Sequence, residues 1–181
     1  MWRYDSSMSE SKVTYEIDRA ALDNIRAAMR DKSHVEIGLF DRKSAMLGAI
    51  HEFGANPRLT EKQRRWFHNH FGVWLMQPLH IPSRSFMRKT VAQQRSNFVT
   101  WMQGEAGWML DAMLTSGSLF GILIQWGAWW RNAIRGCFVS QGFGQWEPLS
   151  PLTLRDNPGG SALYRTGKLI NALAWKLVSR E

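Results

Sequence analysis

The chain has 181 residues, enough for one domain with a buried core. With 44% hydrophobic and 21% charged residues, its composition excludes an intrinsically disordered chain. One cysteine, Cys137, excludes an internal disulfide and a cysteine-based zinc site, and the formal charge of +8 points to acidic or phosphorylated partners.

Residues 1–12 are polar and patternless, as expected of a flexible arm. Val13–Ile17 alternates, so a strand is expected there, with Val13, Tyr15 and Ile17 on one face. Asp18 is a suitable N-cap for a helix to about Arg30. His34–Phe40 alternates again, placing Val35, Ile37 and Leu39 together. A turn at Asp41–Ser44 leads into a short helix over Ala45–Phe53, ended by Gly54.

Residues 55–82 change character and are expected to form an insert outside the main core. Thr60 followed by Gln63 has the form of a capping box, which predicts a helix from about Glu61 to His70, stopped by Gly72. Ser83 or Ser85 is then expected to cap a helix in which Met87, Val91, Phe98 and Met102 share one face. Arg84, Arg88 and Arg95 are expected beside that face as a basic stripe. Gly104, Gly107 and Thr115-Ser116-Gly117 interrupt the helical region, so two or three helices are expected rather than one rod.

The strongest amphipathic signal runs from Ser118 to Phe138, where Leu119, Ile122, Leu123, Trp126, Trp130, Ala133, Ile134, Cys137 and Phe138 form a stripe. Phe120 and Ile124 lie off it, so one set is expected to face the core and the other a partner. After Ser140, Gly, Pro and Ser predict an extended loop over residues 141–160. Trp146 and Leu149 are expected to project from it, mobile in the isolated chain and ordered against a neighbour. Strands are expected over Leu163–Gly167 and Ala174–Val178, and Leu169, Ala172 and Leu173 suit a helix. The whole is expected to be one α+β domain. Its small mixed or antiparallel sheet would come from residues 13–17, 34–40 and 173–178, backed by the first helix.

Catalytic chemistry finds little support. His51-Glu52 opens a zincin-like pattern, but the second histidine would fall at position 55, which is Ala55. His68 and His70, two residues apart, diverge on a helix. There is no Gly-x-Ser-x-Gly elbow and no Gly-Lys-Ser/Thr phosphate loop. Cys137 lies in an apolar helical register, as an inert buried thiol does. No cofactor or metal is expected, and no enzyme activity.

Charge is unevenly placed. Between Lys62 and Gly104 there is no Asp or Glu, while Lys62, Arg64, Arg65, Arg84, Arg88, Lys89 and Arg95 all fall there. Such a block attracts phosphate or acidic protein surfaces. The ten tryptophans suggest subunit contacts, because a small domain cannot easily enclose so many large rings. Residues 1–5 lack the apolar core of a signal peptide, and the apolar stretch Leu119–Trp130 is too short to span a bilayer. Synthesis and retention in a cytoplasm, without membrane contact, are therefore expected.

Three motifs stand in order: Ile50-His51-Glu52-Phe53-Gly54; Ile81-Pro82-Ser83-Arg84-Ser85-Phe86-Met87-Arg88; and Trp146-Glu147-Pro148-Leu149-Ser150 with Leu163-Tyr164-Arg165-Thr166-Gly167-Lys168-Leu169. In this order and spacing, from about residue 13 to 178, the chain resembles tail-completion proteins of tailed bacteriophages. The likeness is to the Mu-type virion morphogenesis family and the related minor tail protein Z of lambda-like phages. Members carry similar inserts with a helix like Thr60-Glu61-Lys62-Gln63-Arg64, but typically a proline where this chain has Ser85.

The resemblance implies a structural virion protein of the tail or neck, assembled in a host cytoplasm and acting in head–tail joining. It implies a homo-oligomeric ring, hexameric or dodecameric, that meets the tail tube or tail terminator and the head connector or adaptor. The basic block would face an acidic ring or the genome in the channel. The alternative reading is a basic DNA-binding protein of phage replication or packaging.

Overall fold

The computed structural model describes residues 18–75, 78–156, 158, 160–163 and 166–179. The strand expected at residues 13–17 lies outside the described residues, as does part of the 163–167 segment.

In chain order the elements are α1 (Arg19–Arg30), β1 (His34–Leu39), α2 (Arg42–Phe53), α3 (Glu61–Phe71), α4 (Met87–Gly104), α5 (Ala106–Ser116) and α6 (Phe120–Val139). A single left-handed turn, labelled α7 (Gln141–Gly144), a short α8 (Pro151–Asp156), α9 (Lys168–Ala172) and β2 (Leu173–Val178) complete the described elements. The fold is α+β: helices around one small antiparallel sheet.

Local chemistry accounts for most boundaries. Asp18 caps α1 by accepting from the N–H groups of Ala20 and Ala21 at 2.9 and 3.2 Å. Asp41 caps α2 through the Ser44 N–H at 2.8 Å, so α2 starts at Arg42, three residues before the expected Ala45. Thr60 and Gln63 form the reciprocal capping box of α3, and Gly72, at φ 71°, closes that helix in the left-handed region.

β1 pairs with β2 from His34 opposite Val178 to Leu39 opposite Leu173. This register puts Val35, Ile37 and Leu39 on one face with Leu177, Trp175 and Leu173. A two-stranded sheet is marginal alone and needs a covering layer. Here α6, rather than the expected first helix, lies across both strands. Instead α1 lies along α5, where the Asn24 amide donates to the Leu114 carbonyl at 2.7 Å. The opposite face of the sheet carries Glu36 and Lys176, paired across the strands at 3.0 Å.

Close approach of α6 to the sheet depends on Gly127. A methyl group there would stand 2.7 Å from Trp175 Cδ2 and 2.9 Å from Val35 Cγ2. Gly127→Ala is therefore expected to cost about 1–3 kcal/mol by overpacking. Thermal unfolding followed by circular dichroism checks this, and an unchanged midpoint would show that the helix can back away freely.

The main core lies at the far end of α6, where Ile134, Cys137 and Phe138 meet Phe86, Trp146, Ala162, Leu169, Ile170 and Leu173. Burial raises the pKa of the Cys137 thiol and keeps it neutral. Leu163 is not in a strand: it sits in a turn at φ 63°, and Gly167 makes a second left-handed corner before α9. Nor is the 141–160 region a plain extended loop, since it contains α7 and α8 and sends Trp146 into the core.

Candidate interface site

The first two motifs meet at one carboxylate. Glu52, on the last turn of α2, is only 5% exposed, and its side chain reaches the beginning of α4. One carboxylate oxygen accepts from the N–H of Phe86 at 2.8 Å and of Met87 at 3.0 Å. Its other oxygen accepts from the Arg88 N–H at 3.0 Å, the Ser85 hydroxyl at 2.6 Å and the Arg88 Nε at 3.1 Å. The first N–H groups of a helix have no partners within it and carry its positive dipole end, so a buried anion there satisfies both demands. Ser83 and Ser85 do not cap α4, contrary to expectation; they serve Glu52. The Ser83 hydroxyl donates to the Glu52 carbonyl at 2.9 Å.

Burial acts to raise the Glu52 pKa. The hydrogen bonds from the Ser85 hydroxyl and the N–H groups of Met87, Arg88 and Phe86 outweigh it, and the net shift is downward. Next to it, the His51 pKa is lowered, first by burial and then by the neighbouring Arg84 charge. His51 Nδ1 is buried without a hydrogen-bond partner.

Chain reversal between the two motifs is local and tight. Gly54, at φ 75°, has its α-carbon so close to Ile81 that a Cβ would lie 3.0 Å from the Ile81 carbonyl oxygen. Ala55 and Ile81 then exchange backbone hydrogen bonds of 3.0 and 2.8 Å, and the Leu79 N–H donates to the Pro57 carbonyl at 3.0 Å. These three bonds close the base of the 55–82 insert and hold α3 away from the core.

The third motif joins through Arg84 and Trp146. Arg84 is 7% exposed and donates to the carbonyls of Glu147 and Pro148 at 3.1 and 3.3 Å. Trp146 donates from Nε1 to the Ser85 carbonyl at 3.1 Å and sets its ring edge-on to Phe138, 5.9 Å between centroids. Gly142 makes room for this indole, since a Cβ there would fall 2.2 Å from Trp146 Cδ1. Trp146 is therefore a core residue and not an exposed docking side chain. Leu149 follows it, half-buried against the core.

The expected basic surface divides. Arg84 is buried and precedes α4, so it is not part of a helical stripe. Arg88 is occupied by Glu52 and lies over the Phe53 ring at 4.6 Å. Arg64 is half-buried, its guanidinium 5.4 Å from the Trp74 ring centroid. Lys62, Arg65 and Arg95 are exposed, with Arg65 ion-paired to Glu61. Between the insert and the 147–153 segment runs a groove of about 690 Å³, with Phe67, Leu79, Pro82, Arg84, Leu149 and Leu152 among its lining.

Glu52 is the residue that sequence reasoning passed over. Its signal lies in two facts: it is the one carboxylate of α2, and α4 has no acidic residue in its first turn.

Other chemistry is thin. Among the described residues no three His, Cys, Asp or Glu side chains gather to hold a metal ion, and no helix is long and apolar enough to cross a membrane. Comparison with known proteins finds no family model, no curated protein and no solved structure that matches this chain.

Proposed function

We propose that the chain is a structural subunit of a bacteriophage tail or neck, which forms a ring and joins a completed tail to the head. Its partners in this reading are further copies of itself, the tail tube or terminator, and the head connector. Its place is the virion. The resemblance carried by the three ordered motifs motivates the reading; the first two meet at Glu52, and the third joins them through Arg84 and Trp146.

The observation that carries it is α5. Ala106–Ser116 reads AGWMLDAMLTS, with Asp111 as its only charge, yet no residue of it is buried. Trp108 and Leu110 are 36% and 52% exposed, and Phe120, just beyond, is 57% exposed. A helix that is apolar on nearly every side is normally covered. Here α1 covers only part of it, and the apolar side chains left exposed mark a contact surface. Half-buried Trp101, Trp129 and Trp130, gathered around Phe98 with centroids 5.0–6.1 Å apart, add an aromatic seam between α4 and α6.

Native mass spectrometry tests the ring. The expected result is a closed multiple of the 20.9 kDa subunit, six- or twelvefold, that Leu110→Glu converts to monomer without loss of helical signal. A strict monomer, alone and when mixed with tail-tube and connector proteins, would contradict the reading.

A further inference from the structure

Helix α3 has an outward face that the fold does not need. Lys62, Arg65, Trp66, Asn69 and His70 fall at i, i+3, i+4, i+7 and i+8, and all five are exposed. The other side, with Arg64, Phe67, His68 and Phe71, is half-buried and supplies the packing. Trp66 is therefore an apolar ring on the polar side of an amphipathic helix, 54% exposed.

It is also held flat. The His70 ring stacks on it at 4.9 Å and 13°, while Phe67 and Phe71 stand nearly perpendicular to it at 5.1 and 5.9 Å. A ring braced in this way has little rotamer entropy left to lose on contact. Lys62 stands one turn before it and Arg65 directly precedes it, and the chain supplies no carboxylate from Lys62 to Gly104. Arg65 is paired with Glu61, but both partners are mostly exposed, and such surface pairs are weak enough for a phosphate to displace. At the end of the helix Arg155 adds a third cation, its guanidinium 5.2 Å from the Phe71 ring centroid and bonded to the Phe71 carbonyl at 2.7 Å.

We infer that this face of α3 binds single-stranded nucleic acid, with an unpaired base stacked on Trp66 and the flanking phosphates on Lys62 and Arg65. The chemistry selects this partner over its rivals. A duplex hides its base faces, so it would use the cations and leave the tryptophan idle. A bilayer needs a broad apolar face, whereas this one offers a single ring among polar groups. An acidic protein would likewise not need a flat, braced indole. The inference stands apart from the ring reading and requires no oligomer.

Fluorescence anisotropy with labelled oligo(dT) and oligo(rU), and with a duplex of equal length, tests it on the full chain. At 50 mM salt both single strands are expected to bind more tightly than the duplex, and their ratio identifies DNA or RNA as the favoured form. With Lys62 and Arg65 each at one phosphate, log K is expected to fall against log salt with a slope of about −1.4. Trp66→Ala should weaken single-strand binding roughly 5- to 100-fold, and Trp66→Tyr should restore most of it. Lys62→Gln with Arg65→Gln should flatten the salt slope. No residue of α3 is buried, so these variants keep the fold, checked by an unchanged thermal midpoint. Equal binding of duplex and single strand with no effect of Trp66→Ala would overturn the inference. So would the absence of binding, or Trp66-dependent capture by anionic vesicles in place of oligonucleotides.

Discussion

Glu52→Ala is expected to lower the unfolding free energy by about 3 kcal/mol or more, because buried N–H groups left without acceptors cost about 1–3 kcal/mol each. Two carboxylate oxygens serve the N–H groups of Phe86, Met87 and Arg88 together with the Ser85 hydroxyl, and an alanine methyl offers these donors no acceptor. For a chain of this length the thermal midpoint should fall by about 6–12 °C. Glu52→Gln should give roughly half the loss, since one acceptor oxygen remains while its NH₂ group faces donors. Arg88→Gln should cost about 1 kcal/mol or less, because the Arg88 side chain is 63% exposed and its charge is screened. Urea unfolding of the three variants separates these contributions. Similar losses for Glu52→Ala and Arg88→Gln would mean that the ion pair, and not the helix cap, is what matters.

The acid side of the stability curve carries the same signature. Glu52 has a folded pKa below its ordinary 4.5, so its stabilisation is complete above that pH and is lost as the pH falls from there through the folded value. His51 is also lowered from its ordinary 6.5, so its protonation withdraws stability earlier, from about pH 6.5 downward. Wild-type protein should therefore lose stability in two stages on acidification. Glu52→Gln should shrink the lower stage, to which Glu36, Asp31 and Asp41 also contribute, and leave the upper one.

Trp146→Ala is expected to cost about 3–5 kcal/mol in the isolated chain, the range for removing a large buried aromatic. The indole is 9% exposed, packs on Phe138, and holds the Ser85 carbonyl at the mouth of α4. Its loss would empty the space beside Gly142 and release the 145–150 segment from the helix start. Trp146→Phe keeps most of the packing and removes the donor, so it should cost about 1 kcal/mol. Equilibrium unfolding in urea measures both. A nearly unchanged midpoint for Trp146→Ala would mean that the segment is free in solution and takes its order from a partner.

Legibility in the sequence depends on the range of the interactions involved. Helix α1, with Asp18 at its start, the capping box of Thr60 and Gln63, and the stop at Gly72 are each specified by residues within one turn. The Val35–Ile37–Leu39 face and the stripe of α6 come from periodicity. The features that eluded the sequence depend on pairings between distant segments. The α4 cap comes from Glu52, 34 residues before Phe86, while serines stand at the positions where a local cap would be expected. The burial of Trp146 depends on left-handed Gln141, Gly142 and Phe143, a turn that composition alone describes only as glycine-rich. Arg84 fits a basic stripe only when helical spacing is extended past the true start of α4. Of the basic residues, Lys62 and Arg65 on α3 and Arg95 on α4 are exposed, whereas Arg64 and Arg84 are drawn into contacts that the sequence does not display.

The most direct test of the structural-subunit reading is to find where the chain resides. Particles from a phage that encodes it should be purified and studied by mass spectrometry and by immunogold labelling, alongside particles made when the gene carries an early stop codon. The account predicts label at the junction of head and tail, and, without the protein, filled heads and separate tails that do not join. Infectious particles with joined heads and tails, lacking the protein altogether, would contradict it.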